Sequence, residues 1–169
     1  MQQAYVEPNR VGFSVPCLGG EEAVVTIRIH NPTTLAITFR VRLTRPERFR
    51  LTPVFGFVEP ESNCSVRIKP SAFDAKPQTK NDRFTVLVAD APLAHGEHKA
   101  KDMWTGINTA LRPVQSRRLV INIVYVNPGD PLPPRLPDRS NAEPVLVPEE
   151  GNSGDSASLG EEVDGQEEL

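Results

Sequence analysis

Cysteine is scarce, with only Cys17 and Cys64 in 169 residues. A disulfide-stapled secreted scaffold is therefore excluded, since small frameworks of that kind rely on several bridges. The pair also fails the pattern of an antibody-type domain, because the single tryptophan, Trp104, follows both cysteines instead of lying between them. No apolar run approaches the ~18 residues of a membrane-spanning helix. The start Met-Gln-Gln-Ala-Tyr-Val-Glu-Pro has neither the basic nor the apolar stretch of a signal peptide. These absences lead to the expectation of a soluble, cytoplasmic chain with reduced thiols and no membrane span.

Signatures of catalysis are missing as well. Leu18-Gly19-Gly20-Glu21 lacks the Gly-Lys-Ser/Thr of a phosphate-cradling loop. His95-Gly96-Glu97-His98 offers ligand-type side chains, but no second His or Cys cluster completes a site, so a solvated loop and no metal or other cofactor are expected. Neither cysteine has a His neighbour, and Cys64 alternates inward with Val66 and Ile68, where burial blunts a thiol. Asp74 and Asp82 stand in turn contexts, where Asp commonly bonds its own backbone. A non-enzymatic protein follows. Helix-forming runs are also few, whereas the 17 prolines are roughly twice the average share, which disfavours a helical bundle.

What is present is alternation. In Leu35–Thr44, LAITFRVRLT, the residues Leu35, Ile37, Phe39, Val41 and Leu43 share one face of a strand, while Thr38, Arg40, Arg42 and Thr44 share the other. One face is core and the other a cationic stripe, which suits a binding or assembly surface and not a cleft. Ala23, Val25, Ile27 and Ile29 alternate in the same way ahead of it. Asn31-Pro32-Thr33-Thr34 breaks the chain between the two, so they are expected to pair as a hairpin. Further strands are read at Val11–Val15, around Phe49 and Leu51 (at a sheet edge, because prolines flank it), at Cys64–Ile68, at Arg83–Val88 and at Arg117–Val126, the last apolar on both faces. Gly56–Pro60 is a turn-flanked piece. Between Asp90 and Gln115 periodicity disappears, predicting a long connection anchored by Trp104. Seven short strands with turn signals between them predict an all-β, immunoglobulin-like β-sandwich around one core.

Charge divides the chain. Residues 1–128 carry 17 Lys and Arg against 11 Asp and Glu, a net +6, whereas residues 129–169 carry two Arg against 11 acids, a net −9. From Asn127-Pro128-Gly129 onward proline, glycine, serine and acid dominate, apart from Val145-Leu146-Val147, and such a stretch buries too little apolar surface to offset chain entropy. A domain at 8–128 with a disordered, Pro-rich acidic tail at 129–169 is expected. The basic domain does not read as a nucleic-acid binder, because its arginines lie on strands without interleaved exposed aromatics and no zinc-finger, RNP or helix-turn-helix pattern accompanies them.

Four segments in order carry a family resemblance: HNPTTLAITFRVRLTRPERFRLTPVFGFVEP (His30 to Pro60), AFDA (Ala72 to Ala75), NDRFTV (Asn81 to Val86), and Trp104 followed by the strand that closes in Asn127-Pro128. The chain resembles the major sperm protein (MSP) domain family over roughly residues 8–128. That family includes the nematode sperm motility protein and the membrane-anchored VAMP-associated proteins (VAPs). NDRFTV and the closing Asn-Pro are similar to the sperm branch, while the VAP branch usually has Lys-Phe-Met where Arg83-Phe84-Thr85 stand. The resemblance implies a PapD-like sandwich and protein–protein assembly, with this chain as a component or regulator of an MSP-type cytoskeleton, binding itself or other MSP-domain proteins. An alternative is a soluble adaptor that holds acidic FFAT-like peptides on the basic sheet face. The implied partner-binding residues are Arg40, Arg42, Thr44, Arg83 and Thr85, with Arg117 or Arg118 as a further basic residue; Leu43 and Thr85 replace the usual Thr and Met of the VAP pocket. Arginines on the wet face of a sheet are also what solubility requires.

Overall fold

A computed structural model describes residues 2–75, 81–93, 95–106, 112–113 and 115–136. The tail expected to be disordered lies outside the described residues from 137 onward. Among the described residues stand nine strands: β1 Tyr5–Glu7, β2 Arg10–Ser14, β3 Val25–Asn31, β4 Ile37–Leu43, β5 Phe49–Thr52, β6 Phe55–Val58, β7 Ser62–Pro70, β8 Arg83–Asp90 and β9 Arg117–Val126. A short helix, α1, spans Ala100–Thr105. The strands form a four-stranded sheet in the order β1-β3-β7-β5 and a five-stranded sheet in the order β2-β9-β8-β4-β6. The expected all-β, immunoglobulin-like sandwich is what the chain forms. Its two strands beyond seven are the three-residue β1, and β6, which falls on the turn-flanked piece read at Gly56–Pro60.

The core follows from the alternation. Ile27 and Ile29 of β3, Phe39 and Val41 of β4, Val66 and Ile68 of β7, and Phe84 and Val86 of β8 are all buried between the sheets. Phe49 bridges the layers, its ring 4.9 Å from that of Phe13 and 5.2 Å, edge on, from that of Phe84. Full burial of each such side chain stabilises the fold by roughly 1.5–3 kcal/mol. Both thiols are buried, Cys64 on the inward side of β7 as expected. β5 lies at a sheet edge, again as the prolines require.

The expected β3–β4 hairpin does not form. β3 pairs with β1 and β7 in one sheet, and β4 pairs with β6 and β8 in the other. The reason is Asn31, only 1% exposed, whose Nδ2 donates to the carbonyls of Leu35 (2.8 Å), Val58 (3.0 Å) and Glu59 (3.1 Å). Its Oδ1 accepts from the Thr33 backbone N–H (3.1 Å) and hydroxyl (2.6 Å). These bonds carry the chain across the end of the sandwich instead of back along β3. Leu35, expected inward, sits on that crossing and is exposed, and β4 begins only at Ile37.

The N-terminal strand likewise changes sheets. β1 runs antiparallel to β3, and after Pro8-Asn9 β2 runs parallel to β9. Gly12 of β2 is a point of close approach, because a side chain there would strike the Pro133 ring carbon Cδ at 2.3 Å. Val11 and Phe13 face the core, so Leu132 and Pro133 lie over the outward side of β2.

Candidate protein-interaction face

The outward side of the five-stranded sheet is assembled by register. Arg42 of β4 stands beside Thr85 of β8, and Thr85 beside Val120 of β9. One row along, Arg40 is beside Leu87 and Leu87 beside Arg118; in the other direction Arg83 is beside Asn122, which neighbours Arg10 of β2. The implied residues Arg40, Arg42, Arg83 and Thr85 therefore do come together on one face. Of the two basic candidates on the last strand, Arg118 belongs to it. Arg117 is registered with inward Val88, and its guanidinium donates to the Ala4 carbonyl.

The face is not uniformly wet. Arg40 is 5% exposed and Thr85 fully buried, against the expectation of a solvent-facing stripe. The connection after β8 also lies on this side and is not the featureless loop its lack of periodicity suggested. A 3-10 turn at His95–Glu97 and then α1 lie against β4 and β6. The Trp104 indole N–H donates to Thr38 Oγ1 at 3.0 Å, and Met103 beside it is buried. Trp104 does anchor this segment, but on the outward side of β4. His95 ties down its start: Nε2 is 2.8 Å from Glu59 Oε2, and the ring packs 5.0 Å from that of Phe57. The Arg40 guanidinium carbon lies 5.6 Å from the centre of the Phe55 ring, a cation–π contact. Thr85 is registered between Arg42 and Val120, and its Oγ1 has no hydrogen-bond partner among the described residues.

What stays accessible is the other half: Arg42 and Arg83 are half-buried, while Arg10, Arg118, Asn122 and the apolar Val120 are exposed. Val120 corrects the reading of β9 as apolar on both faces, for one of its faces meets solvent. At the rim Thr44 has a structural task, its Oγ1 donating to Asp82 Oδ1 (3.3 Å) and accepting from the Arg83 backbone N–H (3.2 Å).

Asp82 departs from its expected turn role. The nearly buried carboxylate accepts from Arg45 Nε at 2.7 Å and from the Tyr125 hydroxyl at 2.8 Å. Burial, and next the hydrogen bond to Asp82, hold the Tyr125 phenol well above the usual tyrosine range, so it stays a donor. Neither Arg45 nor Tyr125 carried a motif that could have announced this network. Only the inward side of β9 hinted at a tyrosine in need of a partner.

Among the described residues no group of three or more His, Cys, Asp or Glu side chains is placed to hold a metal, and no helix is long and apolar enough to cross a membrane. A groove of about 790 Å³ opens at one end of the sandwich between Leu35, Val88 and Arg117.

Comparison with known proteins agrees with this architecture. A model of the MSP (Major sperm protein) domain family matches residues 6–109. Major sperm protein 1 of Globodera rostochiensis is 33% identical over 90 residues, 53% of this chain and 70% of that protein. The vesicle-associated membrane protein-associated protein scs2 of Schizosaccharomyces pombe is 26% identical over 146 residues, 79% of this chain but 36% of its own length. Among solved structures, WR4, an MSP family member of Caenorhabditis elegans, superposes with a TM-score of 0.54 at 19% identity, covering 75% of this chain and all of its own. With the family model spanning more than half its length, the chain belongs to the MSP domain family.

Proposed function

We propose that the chain is a non-enzymatic protein-assembly module, a component or regulator of an MSP-type cytoskeleton, joining itself or related domains in the cytoplasm through residues 8–128. The observation that carries the interaction reading is the accessible half of the five-stranded sheet, where Arg10, Arg42, Arg83 and Arg118 surround exposed Val120. Cations around an apolar centre suit an acidic protein surface with an apolar tip. The likeness to Globodera major sperm proteins supports the cytoskeletal setting. In this reading Arg42 and Arg83 contact the partner, Thr44 and Thr85 shape the face beneath them, and Arg40 acts from its buried position beside Phe55.

The same face favours a second reading, a soluble adaptor for acidic aromatic peptides of the FFAT kind. Exposed Val120, across Thr85 from Arg42, is the feature that supports it; buried Thr85, where the VAP branch usually has Met, narrows any aromatic pocket. Sedimentation velocity of the full chain, with and without an acidic peptide carrying one Phe, separates the two. Concentration-dependent oligomers indifferent to the peptide support assembly, a monomer that binds it stoichiometrically supports the adaptor, and a monomer that ignores it overturns both.

A further inference from the structure

The two sheets carry different charges at the outward positions of their strands. On the four-stranded sheet, Arg67 and Lys69 reach Glu21 at 3.0 and 3.1 Å, and His30 pairs with Glu7. Carboxylates are interleaved there, and Glu21 titrates below the usual range because Arg67 and Lys69 hold it. On the five-stranded sheet, Arg10, Arg40, Arg42, Arg83 and Arg118 occupy outward positions of the strands. Among the described residues no Asp or Glu stands at an outward position of those strands. The outward positions of these strands thus contribute charge of one sign only.

The chain beyond β9 starts on that same face. Leu132 and Pro133 lie over Gly12, close enough that a Cβ would collide with the proline ring. Gly12 is registered with Val124, one row from the row that runs Arg10, Asn122, Arg83. Two residues along and two strands across place this seat about 12 Å from Arg83. Gly12 therefore does more than close a turn: its missing side chain lets the departing chain lie on the sheet surface instead of leaving it. Residues 137–169 then hold ten acids and one Arg. The 13 residues from Leu136 to Glu149 can reach up to about 45 Å, sufficient to bring Glu149 and Glu150 onto the arginines.

We propose that the acidic segment 137–169 docks on the outward face of the five-stranded sheet of its own domain and competes there with acidic partners. The competition half rests on the interaction reading above; the docking half does not. Tethering supplies the segment at an effective concentration on the millimolar scale. With an intrinsic affinity of about 0.1–1 mM, that concentration weakens partner binding by about two- to tenfold at low salt. Contact between exposed charges is screened as the Debye length falls from about 10 Å at 0.1 M salt to about 3 Å at 1 M, so the effect fades with salt.

The test uses the full chain. Both native thiols are buried, so a nitroxide placed at Ser156→Cys reports the segment's position. Docking requires that, in dilute salt, amides of Arg42, Arg83, Thr85 and Val120 broaden several-fold more than those of Arg28 and Arg67 on the opposite sheet. The difference must vanish at 1 M salt and in a chain with Glu149, Glu150, Glu161, Glu162, Glu167 and Glu168 all changed to Gln. Equal broadening of the two sheets, or broadening that survives the Gln changes, overturns the docking. A short poly-glutamate peptide is then titrated into the parent and Gln chains. Two- to tenfold tighter binding by the Gln chain at low salt, converging at high salt, supports competition, and equal affinities overturn it. Selective broadening with no peptide binding to either chain overturns the acidic-partner reading while leaving the docking supported.

Discussion

At the scale of single residues, the stability of this domain concentrates where a side chain has no alternative partner. Phe39 is fully buried at the centre of β4. Phe39→Ala should cost about 3–5 kcal/mol, most of a typical margin of about 5–15, as measured by chemical denaturation. A loss below about 1 kcal/mol would contradict its place in the core. Tyr125 makes a pH-dependent contribution. Because its phenol is held above the usual tyrosine range in the folded state, the bound proton stabilises the fold fully below the unfolded value of about 10. That contribution is lost as pH rises from there toward the folded value. Tyr125→Phe should therefore be less stable by about 1.5 kcal/mol at neutral pH, the worth of a hydrogen bond to a charged group. Above pH ~10 the deficit should shrink, because only the parent loses stability with this titration. Denaturation midpoints from pH 7 to 11 would show the convergence.

At the scale of elements, two tethers decide where strands and helix go. Asn31→Ala removes the donors that satisfy the Leu35, Val58 and Glu59 carbonyls at the sheet crossing. Orphaning buried acceptors in this way should cost about 3 kcal/mol. Hydrogen exchange should quicken first at Val58, Glu59 and the start of β4. The α1 cover is held by Trp104 and His95. Trp104→Phe keeps the ring but deletes the bond to Thr38, whose hydroxyl retains its own bond to the Gly56 carbonyl at 3.1 Å. The expected result is faster exchange in residues 100–105 at a global cost of about 1 kcal/mol. Unchanged exchange there would mean that the helix is held by packing alone.

At the scale of the whole molecule, the strands of the five-stranded sheet put the core on one side and the proposed interaction face on the other. Charge reversal at both Arg42 and Arg83 should leave the cooperative unfolding transition in place, since neither side chain reaches the core. Affinity for an acidic partner should fall by about five- to tenfold, or roughly 1–1.4 kcal/mol. Affinity unchanged by the double reversal would reduce these arginines to a solubilising surface. The same arrangement lets α1, while its Ala100 joins the core, and the chain after β9 lie over the outward side of the sheet.

The alternation of β4, with Phe39 and Val41 against Arg40 and Arg42, determined the facing of that strand, and with β3, β7 and β8 it determined an all-β sandwich. A period of two is a local property that burial enforces residue by residue. The prolines around Phe49 and Leu51 likewise placed β5 at an edge, because a missing amide is a local fact too. Which strands pair was decided only in three dimensions: Asn31 looks like a turn residue in the sequence, and its role as a sheet crossing exists only once the Val58 and Glu59 carbonyls are within its reach. The accessibility of the candidate face was decided there as well. Arg40 and Arg42 are indistinguishable by alternation, yet Arg40 is 5% exposed and Arg42 half-buried, on a strand that Trp104, 66 residues from Thr38, ties to α1. Alternation reports which side of a sheet a residue faces; what lies over that side depends on contacts between residues far apart in the chain.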